Sequence, residues 1–458
     1  MGRRLIARRP VPHDTVSPGT EPAGANANRV AADPNDPQKP ALLDSFRQSD
    51  YRWLWLSNVA GSAGRWALVL ILAAQLLRVT HSSFWVGLGL FLTQGPVILM
   101  APFSGALADR FDRRLLNVVS AAASSVTTGL FALLTWLGVM SLGLMLCLSL
   151  LFGLSFVFQM TLRSTLVPSL VPRARLLNAV SLFQVGTQGA QFLGPALATP
   201  LLVKGGPAAA WCFCCFLYAA SAALCAAIGE VRVRAGAGAI QYRLSGSLRY
   251  LRDRPLAWTA MWAVALHCSL TMAYQGMLPM FVAMDLHAGA SSYGALLTAI
   301  GVGAATGSLG LARLSGLRYR PALFAASLVG SGLALSAMAT ASSLTVALVS
   351  GFFAGSTQAM FMSMTLALIQ SSVGDDFRGR ATSFYQMITL TPMALFGWGM
   401  GGLADVTEPR PLMIVSGLVF LLAMAAYAAR SGWLRSLLRG TGWQGADGRD
   451  AGARATVS

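Results

Sequence analysis

The chain has 458 residues, more than half of them hydrophobic and only 11% charged, with a mean hydropathy of +0.59. A water-soluble domain carries about twice that charged fraction, so the composition excludes an ordinary soluble enzyme or regulator. The net charge of +17 does not indicate nucleic acid as a partner: the basic residues sit in short clusters between long apolar runs, which is how a chain orients itself in a bilayer.

Residues 1–45 are rich in Pro, Gly, Asn and Asp and are expected to form a disordered cytoplasmic segment. Their basic start, Arg3, Arg4, Arg8 and Arg9, has no apolar core behind it and is not a secretory signal. Twelve apolar runs follow, each near the roughly 20 residues that cross a hydrocarbon core. They cover 53–77, 84–107, 115–137, 142–167, 179–203, 208–228, 256–283, 293–311, 322–339, 344–369, 381–403 and 412–429. The runs do not alternate apolar with polar residues, as the strands of a membrane barrel would.

The connections differ from side to side. One side carries Arg110, Arg113 and Arg114, then Arg173 and Arg175, six arginines between 232 and 254, then Arg313, Arg318, Arg320, Arg378 and Arg380. The other has Arg78, Lys204 and Arg410. The basic side is expected to be cytoplasmic, with both termini inside, in the inner membrane of a bacterium. The basic linker 230–255 separates a bundle at 46–229 from another at 256–430, and 431–458 is a cytoplasmic tail. Sliding the chain by 202 residues brings Ala179, Ser181, Phe183 and Gln184 onto Ala381, Ser383, Tyr385 and Gln386, and Val171 onto Val373. The expected fold is therefore all-α: twelve transmembrane helices in two pseudo-symmetric six-helix bundles.

The six cysteines, Cys147, Cys212, Cys214, Cys215, Cys225 and Cys268, lie inside apolar runs with no His or carboxylate nearby. They read as small apolar filler, and neither a disulfide nor a metal site is expected. Four scattered histidines, with no nucleotide loop and no nucleophile–base spacing, argue against a membrane-embedded lipid-modifying enzyme, and no cofactor is expected.

The segment Gly105-Ala-Leu-Ala-Asp109-Arg110-Phe-Asp112-Arg113-Arg114 resembles the signature loop of the major facilitator superfamily, with Asp112 where the common pattern has Gly. The Asp-Arg-Phe-Asp-Arg-Arg variant is similar to the drug- and siderophore-exporting branch that includes the enterobactin exporter family. Residues 46–66, 163–179, Gly194-Pro195, Arg378-Gly379-Arg380 and 401–405 resemble the same branch, although Ala198 and Thr199 replace the glycines that usually follow Gly194-Pro195 as the fifth helix bends. Parallel repeats of six helices occur in this superfamily. The resemblance implies a monomeric secondary transporter exporting a small metabolite, siderophore, antibiotic or drug by alternating access, with protons as the counter-ion. Import of a small anionic nutrient is the alternative. It also implies that Gly105, Asp109, Arg110, Arg113 and Arg114 gate the cytoplasmic side. Arg163, near the cytoplasmic end of the fourth run at a depth comparable to Asp109, is expected to join Asp109 or to snorkel.

Polar residues inside the apolar runs are the candidate solute contacts. The fifth run carries Ser181, Gln184, Gln188 and Gln191 on one helical face. The seventh carries His267, Thr271, Tyr274 and Gln275, and the eleventh Tyr385, Gln386 and Thr389; Gln159 and Gln358 stand in the fourth and tenth, which are equivalent helices of the two halves. Amides at this depth either line a wet cavity or tie helices together. Trp66, Phe361, Met362 and Met387 suit a bulky, partly hydrophobic solute or plain packing. Arg65, at the middle of the first run, costs roughly 2.5–3.5 kcal/mol to place there. It shares a face with Asn58, Gly61 and Ser62 and points to an anionic or acceptor-rich solute, or to backbone carbonyls. No Asp or Glu lies at the membrane centre to pair with it or to carry a proton, which leaves His267 as the titratable group at that depth, or as a packing residue.

Overall fold

The computed structural model describes residues 44–439 apart from 98, 101–106, 108–110, 173, 174, 230–248 and 315–318. The expectations for residues 1–43, for Gly105, Asp109 and Arg110, for most of the linker and for the end of the tail therefore lie outside the described residues. The described residues are helical, with no strand.

A 3₁₀ turn, Asp44–Arg47, leads into α1 (Ser49–Thr80), followed by α2 (Ser83–Gln94), α3 (Arg113–Trp136) and α4 (Leu142–Leu170). Asp112 caps α3 by accepting the Arg114 N–H at 2.8 Å, and Ser141 caps α4 through Leu144 N–H at 3.3 Å. Capping gives a physical reason for Asp112 where the superfamily pattern has Gly: its carboxylate satisfies an N–H that a glycine leaves to water.

Leu176–Ala226 is helical throughout except at Gly206, whose φ of 77° and ψ of 176° only glycine adopts without strain. It divides the segment into α5 (176–205) and α6 (207–226), which run in opposite directions along α1. Along α5, Ala179 C=O accepts from Tyr51 Oη at 2.6 Å, Leu182 C=O accepts from Trp55 Nε1 at 2.8 Å, and Gly194 lies on Ala63 and Ala67. Along α6, Trp211 donates to Gln75 at 2.7 Å, Ser221 to Ser57 C=O at 2.8 Å, and Gly229 N–H just past it to Asp50 at 3.2 Å.

In the second half α7 (Pro255–Leu270) unwinds into a 3₁₀ turn Ala273–Gly276, a single turn Leu278–Met280 and a π turn Phe281–Asp285. Then come α8 (Ala290–Leu314), α9 (Arg320–Ala339), α10 (Leu344–Ser371), α11 (Asp375–Thr407) and α12 (Pro409–Arg430). Ten described helices are long and apolar enough to cross a membrane. The α5–α6 hairpin supplies two passes and α2 is the described start of the second, so the expected twelve are accounted for. A short helix, α13 (Gly432–Arg439), follows; Leu434 and Leu437 bury themselves in the second half while Arg435 and Arg439 stay exposed.

The face at which α1 begins and α12 ends is the near face; the opposite one is the far face. Among the described residues the buried apolar side chains form three clusters. One unites 67–76, Val86 and Leu90 of the first half with 274–300 of the second, at the far face. The other two lie toward the near face, and each belongs to one half: Tyr51, Leu54, Leu166, Ala179 and Cys225 in the first, Phe324, Phe361, Tyr385 and Phe420 among others in the second. The halves thus share a core at the far face and keep separate cores toward the near face.

Two helix pairs make most of the junction, α2 against α11 and α5 against α8. This is the pairing a duplicated six-helix unit produces, since an offset of 202 carries α5 onto α11. Both pairs rest on glycine. A Cβ on Gly87 would lie 2.8 Å from Trp398 Cα and 2.9 Å from Gly397 O, and one on Gly301 would lie 2.6 Å from Phe192 N.

Candidate functional site

Because the halves share a core at the far face and keep separate cores toward the near face, we read the space between them as a cleft that opens at the near face and ends at the far-face junction. On α5, Gln184 is exposed, Gln188 half-buried, and Gln191 reaches the point where Gly301 of α8 meets the helix backbone. Among the described residues, the hydrogen bonds that join the halves all lie at the far end, around Ser82–Phe84.

Arg65 sits on α1 at cleft-floor depth. Its Nη2 donates to Gln94 Oε1 of α2 at 2.9 Å, and its Cζ lies 4.3 Å from the Phe156 ring centre and 5.9 Å from that of Trp66. No other side chain among the described residues bonds to it, and its remaining N–H groups are not sealed in. A guanidinium against an aromatic face is stabilised by the ring quadrupole. Its one polar partner is a neutral amide, so the full positive charge stays uncompensated. Gln94, itself buried, also borders a small void with Gln275, Ala273, Met393 and Gly397, where the first half meets the second. Sequence reasoning passed over Gln94, although an amide amid Leu90–Pro96 was a visible signal.

Six of the expected cleft residues are instead buried within the bundles. Gln159 donates to Ser124 Oγ at 2.7 Å and Ser120 C=O at 3.2 Å. Gln358 donates to Thr271 C=O at 2.9 Å, and Tyr385 to Met362 C=O at 2.8 Å. Thr271 and His267 bond each other at 2.9 Å, with Phe361 and Phe420 rings against the imidazole, and Tyr274 lies in the far-face core. For Gln159, Gln358 and Tyr385 the physical reason is the cost of an unsatisfied polar group in hydrocarbon: backbone carbonyls of neighbouring helices satisfy them away from water, while Thr271 bonds His267 and its carbonyl within the same helix. Gln386, Gln275 and Met387 are half-buried. On α1, Gly61 faces α4 rather than the cleft, and Asn58 donates to Thr187 of α5 at 2.9 Å.

Arg163 is buried beside Gly61, and its Nη2 donates to Gln159 Oε1 and Ser221 Oγ, each at 2.9 Å. These bonds tie α4 to α6; the expected partner Asp109 lies outside the described residues. Arg114 reaches the Ala226 carbonyl at the end of α6, where a cation meets the negative end of the helix dipole, and Arg113 is the first residue of α3. Gly194 and Pro195 keep α5 helical; the added Cβ at Gly194 would lie 2.9 Å from Ala67 N, so the glycine admits α1.

Residues 41–432 match the family described as transmembrane secretion effector, within the major facilitator superfamily. The chain belongs to this family. It is a membrane transporter and not an enzyme. It is 25% identical to the enterobactin exporter EntS of Salmonella choleraesuis over 375 residues, 80% of this chain and 88% of that one. Over 140 residues, 30% of this chain and 35% of the relative, it is 24% identical to a staphyloferrin A transporter of Staphylococcus aureus. Among solved structures, a bacterial homologue of the lysosomal transporter Spinster, inward-facing and occupied, superposes with a TM-score of 0.61 at 16% identity, covering 83% of this chain and 96% of that one, and shares the fold.

Proposed function

We propose that the protein exports a small amphipathic solute bearing an anionic or acceptor-rich group, by alternating access, with the near face cytoplasmic. The observation that carries this reading is Arg65: a cation at cleft-floor depth, with an aromatic face behind it and a neutral amide as its one bonded partner. A charge placed there is costly unless something compensates it, and a bound anion does so. The α5 amides offer donors and acceptors along the way in. Siderophores fit this solute class, and the names of the two relatives favour it; an antibiotic or drug of similar chemistry fits equally.

Export is expected to be uphill and driven by proton antiport, as the resemblance to the exporting branch implies. In inside-out vesicles the solute should accumulate, and an uncoupler should abolish the accumulation; accumulation that survives the uncoupler rules out antiport. Uptake by right-side-out vesicles would instead favour the nutrient importer.

The neutrality of Gln94 is itself testable. Gln94→Glu places a carboxylate where the amide accepts from Arg65 and pairs the guanidinium internally. Transport of an anionic solute should fall about tenfold, mainly through KM, while Gln94→Asn should have a smaller effect. Equal transport by wild type and Gln94→Glu would sink the anion reading.

A further inference from the structure

The start of α2 is capped from the other half of the molecule. A helix N-terminus presents unpaired N–H groups and the positive end of the helix dipole. Ser82, the residue in the cap position, makes no capping bond of its own to α2. Asp405 of α11 supplies the cap: Oδ1 accepts Ser83 N–H at 2.6 Å, and Oδ2 accepts Phe84 N–H at 3.1 Å and Ser82 Oγ–H at 2.5 Å. Gly401, one helical turn earlier on the same face, allows the approach, since a Cβ there would lie 3.0 Å from Ser83 C.

The sequence contains the same word twice in this helix pair. Gly-Gly-Leu-Ala-Asp, 401–405, ends α11 at the far face, and Gly-Ala-Leu-Ala-Asp, 105–109, ends the second apolar run at the opposite face. Gly105 and Asp109 of the first copy lie outside the described residues; the second copy is the one seen bonded. Its glycine sets the distance and its aspartate bonds the partner helix.

We propose that Asp405 is a latch on the far face. It caps α2 only while α2 and α11 are together, so it biases the transporter toward the state open at the near face. Opening the far face strips a carboxylate from three donors and uncaps a helix at once. The inference rests on alternating access but not on the nature of the solute.

The test is a distance measurement on the full chain in nanodiscs. Spin labels go at Val79→Cys and Val406→Cys, both exposed at the far face, with the exposed Cys147 and Cys212 replaced. Asp405→Ala should raise the far-open population about fivefold, the scale of a few charge-assisted bonds at a solvent-exposed helix end. Asp405→Asn and Ser82→Ala should each raise it less, and adding Ser82→Ala to Asp405→Ala should change nothing further. If Asp405→Ala does not fold, the two milder variants carry the test. An unchanged distribution in folded variants overturns the latch. Because the readout is a distance, a wrong solute class would leave the result intact.

Discussion

Arg65→Ala is expected to reduce kcat/KM for an anionic solute by about 30-fold or more, the scale of removing one partner from a desolvated charge pair. The measurement is efflux of the labelled solute from loaded cells or proteoliposomes. Arg65→Lys keeps the charge but loses the planar fork and its stacking on Phe156, so it should restore only part of the rate. A neutral solute of similar size should be carried about equally by wild type and Arg65→Ala. If both variants transport the anion at the wild-type rate, Arg65 is structural and the solute contact lies elsewhere in the cleft.

Gly87→Val is expected to stop transport without unfolding the protein. Gly87 is where α2 touches α11 backbone to backbone, and a Cβ there would meet Trp398 Cα and Gly397 O, which cannot rotate away. Overpacking of this kind typically costs 1–3 kcal/mol per site, enough to shift a balanced two-state equilibrium about tenfold or more. The far-open state has no such clash, so the variant should collect there, labelled readily from the far face and inactive in efflux. Gly399→Val, on α11 next to the residues that Gly87 meets but with nothing within 4 Å of its Cβ, is the control and should transport normally. Equal activity of the two variants would show that the far face need not close as tightly as it does here.

The fold was legible because long apolar runs and arginine clusters report directly on a bilayer. The turn at Gly206 was legible only as a boundary between two runs. Its geometry depends on which residues of α1 lie beside each arm. The site was half legible. A stripe such as Gln184, Gln188 and Gln191 states that its helix has a polar face, and none of the three is fully buried. A lone amide such as Gln159 or Gln358 states only that it needs a partner, and sequence periodicity does not say whether the partner is water or the carbonyl of a neighbouring helix. Asp405 shows the other limit: it lies in a segment that resembles the exporting branch, yet its partners are more than 300 residues away in sequence.

The placement of the three apolar clusters also bears on temperature. Opening the far face uncovers part of a large shared core, while the cleft walls covered in exchange carry amides and a guanidinium. Apolar surface raises heat capacity on exposure and polar surface lowers it. The two faces therefore do not trade like for like, and the equilibrium between them acquires a heat capacity of its own. Its van 't Hoff plot curves, and cooling weakens the hold of the far-face core.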